Sequence, residues 1–463
     1  MHFLSNIGFP LTLVLAIPLG IAAAFGAIIF RKMIGFFHNL FFLNIFSFQF
    51  DPLKFTQENH LGILIIFIPA ILSIVVTFLI QNFAHEAKGH GVPEVLDAVY
   101  NKSSHIRPRV SLIKSLASSI TIGSGGSVGR EGPIIQIGAA IGSFFGKMFT
   151  FHDWQKTTLV AAGAGAGIAA TFNTPIGGIL FATELILSEI SMRTIVPVIC
   201  ATTISTYIAR LFMGANTAFS LPIIEHYELT QYDHTYLIYL SILGMIIGMA
   251  AFLFSRSIYF FEDQFEKVFS NAYIRHCTGM LGVGCIIWLT YHFAGHYYIE
   301  GVGYATIQSI LNHPEKNLIL LAWLFILKFI VTGITLGSGG SGGVFSPSLF
   351  IGATLGCFIG NIVHSIFPGF PLSVPLFAVV AMAGMVAGTT HAVITAIVMI
   401  IEMTSTYHVA IEIICVAGIA ASTSFMISNK SIYTLKLARR GTYIPIFKIA
   451  HHSANKTDII EPK

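Results

Sequence analysis

The sequence predicts an all-α polytopic membrane protein built from two related halves, and three observations predict it. Of its 463 residues 54% are hydrophobic and only 10% charged, with a mean hydropathy of +0.78, too little charge to clothe a water-soluble domain of this size. Three stretches, Met1 to Phe30, Thr157 to Thr183 and Phe329 to Ile401, contain no Asp, Glu, Lys or Arg. A crossing helix needs about 20 apolar residues, so the last stretch has room for several passes. Finally, GSGGSVGREGPIIQIGAAIG (Gly123 to Gly142) aligns without gaps on GSGGSGGVFSPSLFIGATLG (Gly337 to Gly356), with 11 of 20 positions identical.

The elements follow in chain order. The leading 30 residues lack a basic n-region and a small-residue cleavage site, so they read as a first membrane helix rather than a signal peptide. Residues 1–212 form an N-terminal membrane repeat, in which GVPEVLDAV from Gly91 faces GVGYATIQS from Gly301, and the helical run ending at Glu184 faces the one ending at Glu402. Residues 213–234 make a linker with Glu225, Glu228 and Asp233 and no Lys or Arg, which suits an outside loop. Residues 235–438 form the second repeat, and 439–463 a short cytoplasmic tail. Lys and Arg tend to stay cytoplasmic. Lys88, Lys102, Arg107, Arg109 and Lys114 therefore mark one inside segment, Arg256, Lys267 and Arg275 a second, and Lys430, Arg439, Arg440 and Lys448 a third. Arg31, Lys32 and Lys54 fit this scheme less well.

Halves of this kind commonly pack as inverted repeats with broken helices meeting at the bilayer midplane. Non-helical backbone at that depth is tolerated where it lines a cavity or is buried in protein. A Gly-rich turn feeding a helix N-terminus offers free N–H groups and partial positive charge, an anion site, and two copies make a shared one. Each copy carries a proline just after its glycines, Pro133 and Pro347, suited to an early helical position. Arg130 and Glu131 lie in the first copy, and ionisable groups at membrane depth are functional candidates by default.

GREGP (Gly129 to Pro133), GHGVPE (Gly89 to Glu94), GVFSP (Gly343 to Pro347), AATFNTPIGGILFATE (Ala169 to Glu184), IIEMT (Ile400 to Thr404) and the late Tyr433 together resemble the signature set of the CLC anion channels and transporters, in order and across the whole membrane region. The resemblance implies a homodimer with one pore per subunit and small monovalent anions such as chloride as substrate. Protons are the implied counter-substrate, with no organic or metal cofactor and no enzymatic reaction. It implies that Glu131 is the gate and proton acceptor, displaced or protonated to open the path. The backbone N–H groups of Val344 and Phe345 and the hydroxyl of Tyr433 are implied anion donors, with His90, Gly91 and Arg130 completing the anion-binding set.

Two positions depart from the family pattern. His90 stands where a serine is frequent; a neutral imidazole can donate one N–H and a protonated one adds charge below about pH 6.5, so selectivity and its pH dependence are expected to differ. Glu184 is followed by Leu185 where many exchangers have a second, proton-passing glutamate. Leucine carries no proton, and Glu184, about 100° away around a helix, is either an alternative proton residue or part of a polar network with Glu402 and Glu412. Proton-coupled exchange is favoured and an uncoupled channel or uniporter is the alternative. The tail from Arg440 to Lys463 is too short for paired regulatory nucleotide-binding domains, which suggests a compact bacterial inner-membrane protein.

Other chemistries lack their residues. GSGGSVGREGP has no Gly-Lys-Ser/Thr ending for a nucleotide phosphate. His85 and His90 are five apart rather than the four of a zinc protease motif. GAGAG at Gly163 to Gly167 reads as helix packing, the five cysteines are scattered without metal or disulfide spacing, and the basic residues are too dispersed for nucleic acid.

Overall fold

The structure, a computed structural model, describes residues 2–58, 61–187, 189–221 and 234–442. Most of the acidic linker and most of the tail assigned above lie outside the described residues. The first half comprises α1 (His2–His38), α2 (Phe67–Phe83), α3 (Val92–Asn101), α4 (Pro108–Gly123), α5 (Glu131–Phe145), α6 (Asp153–Phe172), α7 (Pro175–Phe181) and α8 (Met192–Met213). The second comprises α9 (His234–Val268), α10 (Ala272–Ala294), α11 (Tyr304–Asn312), α12 (Leu318–Ser338), α13 (Phe345–Ile366), α14 (Val374–Thr390), α15 (Val393–Thr404) and α16 (Ala410–Ile427). A further helix, α17 (Ile432–Arg439), follows them. Eight of the described helical segments are long and apolar enough to cross a bilayer.

The halves correspond helix by helix. α5 packs on α6 as α13 packs on α14, and α6 on α8 as α14 on α16. Breaks recur at equivalent places. α6 ends on Asn173 (φ 60°) just before α7, and α14 ends on His391 (φ 60°) just before α15. The short α3 and α11 each start after a glycine held at positive φ, Gly91 at 79° and Gly303 at 77°, a conformation that costs other residues energy.

Small residues bring α5 and α6 into backbone contact. A Cβ on Gly138 would strike the Gly163 carbonyl oxygen, and one on Gly163 would strike that of Gly138. GAGAG is thus a packing surface, as small-residue runs in membrane helices commonly are, and α6 is buried along nearly its whole length. The apolar side chains exposed along α2 and α8, among them Phe67, Ile71, Phe78, Tyr207 and Leu211, suit a lipid surround, where no water competes for the interior.

Charge divides between the two ends. Arg31 reaches Met213 Sδ at 3.6 Å, at the end where the linker departs. α9 begins at that linker and runs 35 residues, roughly 50 Å at 1.5 Å per residue, before presenting Glu262, Asp263 and Glu266 at its far end. There the three basic segments meet. Lys88 pairs with Glu262 (3.4 Å) and Glu266 (3.3 Å), Arg275 with Glu266 (3.5 Å), and Arg439 with Asp263. Lys114 is a correction. It sits two turns inside α4, fully buried, and marks no membrane face.

Candidate functional site

Gly129 and Gly343 occupy the same place in the two repeats, and they bond to each other. Gly129 N–H donates to the Gly343 carbonyl (2.7 Å) and Gly343 N–H to that of Gly129 (2.6 Å). A reciprocal bond between equivalent residues puts the axis relating the halves through this pair. Beside it Gly89 N–H donates to the Gly340 carbonyl (3.1 Å) and Gly342 N–H to that of Gly89 (3.2 Å).

These bonds bring three helix starts together. A Cβ on Gly132 would collide with the His90 carbonyl oxygen, and one on Gly91 would lie 2.8 Å from the Gly132 carbonyl, so α3 and α5 meet backbone to backbone. Gly343, just ahead of α13, abuts the Gly132 amide and the Glu131 carboxylate. The first N–H groups of any helix lack an internal partner. Those of Glu131, Gly132, Val344 and Phe345 have no hydrogen-bond acceptor among the described residues. The result is a buried cluster of donors with positive dipole ends converging on it.

The Glu131 side chain occupies part of that cluster. It starts α5 but reaches across to α13, where Oε2 accepts from the Ser346 N–H (3.2 Å) and Oε1 from the Ser346 hydroxyl. The Tyr304 hydroxyl lies 2.9 Å from the same Oε1 and 2.8 Å from Ser346 Oγ. Glu131 is 1% exposed. A carboxylate at such depth is tolerable because charge-assisted donors surround it.

Arg130 does not pair with its neighbour. Its guanidinium approaches the Thr171 carbonyl at 3.5 Å and lies over the rings of Phe172 (5.5 Å) and Tyr304 (5.0 Å). It lines a small cavity with Arg31, His38, Lys54, Glu300 and Tyr304. Arg31 and Lys54, two of the three charges that fitted the loop scheme poorly, thus line this cavity beside Arg130 and Tyr304.

On the other side stand His90 and Tyr433, both 2% exposed, with ring centroids 5.8 Å apart. The Tyr433 hydroxyl has no hydrogen-bond partner among the described residues, and its ring is within electrostatic range of Glu131. The Nε2 of His90 is 3.2 Å from the Tyr259 hydroxyl, which donates to the Ile432 carbonyl at 2.6 Å. Lys436, one turn beyond Tyr433, brings its ammonium beside Gly89 and pairs with Glu94 (3.6 Å), which also holds Arg440 (2.7 Å).

Sequence reasoning missed Tyr304 and Ser346, although both belong to the repeat, Tyr304 in GVGYATI and Ser346 in GVFSP. It also missed a second layer of symmetry. Lys114 Nζ donates to the carbonyls of Ala87 (3.0 Å) and Gly89 (2.6 Å), and Lys328 Nζ, at the matching place in α12, to those of Ile299 and Gly301 (both 3.1 Å). Both lysines are fully buried and anchor the turns that precede α3 and α11. A lysine inside an apolar helix is the signal that could have found them.

Glu184 has a similar duty. Its carboxylate accepts from the N–H groups of Ile394 (3.2 Å) and Thr395 (2.7 Å) at the start of α15, and from the Thr395 hydroxyl (2.6 Å). Glu402 returns the bond, accepting from Ile176 (3.2 Å) and Gly177 (2.7 Å) at the start of α7. Of the two readings held open for Glu184, the geometry therefore supplies a reciprocal helix cap. Leu185 packs half-buried against the core in the π-helical turn Ala182–Ile186.

Known proteins share this architecture. The family described as voltage gated chloride channel matches residues 71–424. The H(+)/Cl(-) exchange transporter ClcA of Vibrio vulnificus (strain YJ016) is 31% identical over 381 residues, spanning 81% of this chain and 79% of its own. The protein of the same name from Cronobacter sakazakii (strain ATCC BAA-894) is 32% identical over 380 residues, 80% and 78% of the two chains. A slow cyanobacterial Cl-/H+ antiporter of known crystal structure superposes with a TM-score of 0.78 at 24% identity, covering 93% of this chain and 96% of that one. Repeat, broken helices and relatives agree, and the chain belongs to the voltage gated chloride channel, or CLC, family.

Proposed function

We propose that this protein exchanges chloride or a similar small anion for protons across a membrane, with Glu131 as gate and proton acceptor. The observation that carries the proposal is the seat of its carboxylate on the N–H and hydroxyl of Ser346 at the start of α13. That is where an incoming anion would find its best donors. A carboxylate and an anion compete for the same groups, so an anion entering expels the side chain, and a proton neutralising the side chain releases the seat. Alternating occupancy by Glu131 and by anion moves the two substrates in opposite directions.

Val344 and Phe345 supply unpaired backbone donors to the anion, and Gly91 and His90 border it from α3. The free hydroxyl of Tyr433 closes the site from the charged face. Arg130 and Arg31 draw anions into the approach from the linker side, a role that steering by focused positive charge explains. The exchange transporters among its relatives favour coupling over an uncoupled channel, even with Leu185 in place of a proton-carrying side chain. The clustered basic segments favour a cytoplasmic charged face bearing the C-terminal tail. A homodimer in a bacterial inner membrane, one pore per subunit, completes the proposal on the strength of family likeness.

The test is Glu131→Gln, which keeps the shape and removes the titratable group. In liposomes proton movement is expected to fall to background while anion movement persists. Proton flux that continues at the wild-type ratio would refute the gate assignment.

A further inference from the structure

A buried histidine beside the anion seat has one ring nitrogen that the fold leaves bare. Tyr259 fixes the tautomer of His90. Its single hydroxyl hydrogen goes to the Ile432 carbonyl at 2.6 Å, so toward His90, 3.2 Å away, it can only accept. The ring hydrogen of neutral His90 therefore sits on Nε2, and Nδ1 carries a lone pair. Nδ1 is buried and has no hydrogen-bond partner among the described residues, an uncompensated cost for a polar atom away from water. The His90 backbone lies where α3 meets α5, its carbonyl against Gly132, and the ring adjoins Tyr433.

A bare lone pair and an anion repel. For His90 to help an anion, Nδ1 must first gain a hydrogen, and the only way with Nε2 already protonated is to take up a proton. The charged groups facing the ring are Lys114 from α4, Lys436 from α17 and Arg440 just after it, all cations. Glu94 of α3 is engaged by Lys436 and Arg440, Tyr259 and Tyr433 are neutral, and Glu131 is turned to α13. Without an anion, burial first and then these cations oppose a positive His90; an anion next to the ring supplies the missing negative charge.

We infer that His90 is a proton acceptor linked to anion occupancy, gaining a proton at Nδ1 when an anion enters the site from which Glu131 withdraws and losing it when the anion leaves. The N–H bond formed at Nδ1 is balanced by an O–H bond broken in a hydronium ion on the charged face, and the reverse transfer returns the proton to water. Linkage is reciprocal, so a proton on His90 tightens anion binding as much as the anion tightens the proton. The inference rests on the anion-exchange reading of the site. It places a proton-holding side chain between Glu131 and the charged face, in a chain whose Leu185 offers none.

The experiment counts protons taken up per chloride bound by the full-length protein in weakly buffered detergent. It is done in the Glu131→Gln background, so that expulsion of the Glu131 carboxylate contributes nothing. Calorimetry gives the chloride bound and a pH indicator the protons. Glu131→Gln is expected to take up protons across the histidine range, approaching about one per chloride. Adding His90→Asn should cut the uptake per chloride about tenfold. Adding Tyr259→Phe instead frees the tautomer, so neutral His90 can donate from Nδ1, and uptake per chloride should drop while chloride still binds; this decides the matter if the His90 variant does not fold. Chloride binding by Glu131→Gln with no proton uptake, or uptake that survives both additions, would overturn the inference. No chloride binding by Glu131→Gln at all would instead count against the anion site itself.

Discussion

Tyr304→Phe isolates the competition between Glu131 and anion more sharply than changing Glu131 does. Tyr304 is 1% exposed, and the change deletes one hydroxyl while keeping the ring. That hydroxyl lies 2.9 Å from Oε1 of Glu131. A hydrogen bond to a charged acceptor contributes about 1.5–3 kcal/mol. Because the N–H and hydroxyl of Ser346 still hold the carboxylate, the lower figure applies, and about 1.4 kcal/mol is a factor of ten. A side chain held ten times less firmly yields its seat more readily, so apparent chloride affinity should rise about tenfold by calorimetry. The effect must act through the carboxylate. In Glu131→Ala the same Tyr304→Phe change should leave chloride affinity within about twofold, giving a coupling energy near 1.5 kcal/mol in the double-mutant cycle. Unchanged or weaker binding in Tyr304→Phe, or a shift that persists without Glu131, would refute the competition.

Two further outcomes separate scaffold from transport. Lys114→Met and Lys328→Met remove fully buried ammonium groups at equivalent positions, of which Lys328 also lies over the Phe350 ring at 4.8 Å. Ala87 O keeps the Ser341 hydroxyl (2.7 Å) and Gly89 O keeps Gly342 N–H (3.2 Å), whereas no other donor reaches Ile299 O or Gly301 O among the described residues. At about 1–3 kcal/mol per orphaned carbonyl, Lys328→Met should cost at least about 2 kcal/mol more stability than Lys114→Met in thermal unfolding; equal losses would contradict the anchoring account. Glu184→Gln turns one cap acceptor into a donor facing an N–H and should lower stability by about 1–2 kcal/mol, while the ratio of protons to chloride stays at the wild-type value. Loss of proton flux in this variant would return Glu184 to the proton route.

How much was legible depends on whether a residue's duty is local. Gly129, Gly343, Pro133 and Pro347 work where they stand, setting backbone turns and helix starts, so the repeat exposes them directly. Glu131 was legible because a charge in an apolar run has few explanations. Lys114 misled for the opposite reason: next to Arg107 and Arg109 in sequence it looks like a loop cation, but the helix starting at Pro108 rotates it into the interior. Tyr304 and Ser346 come to Glu131 from positions 173 and 215 residues away, and Tyr259 reaches His90 across 169. Such partnerships are set by the two-fold assembly of the halves. The reciprocal caps of Glu184 and Glu402 were hidden for the same reason, even though each glutamate was noticed as the end of an aligned run.

The central claim is exchange, and one measurement reaches it directly. Purified protein in chloride-loaded liposomes is diluted into low-chloride medium at equal pH on both sides, and external chloride and pH are followed together. With a potassium ionophore present to carry the compensating charge, coupled exchange predicts that chloride efflux draws protons inward against the gradient they build, so that external pH rises as chloride appears. Chloride that emerges with pH flat throughout would contradict the account and leave an uncoupled anion pathway.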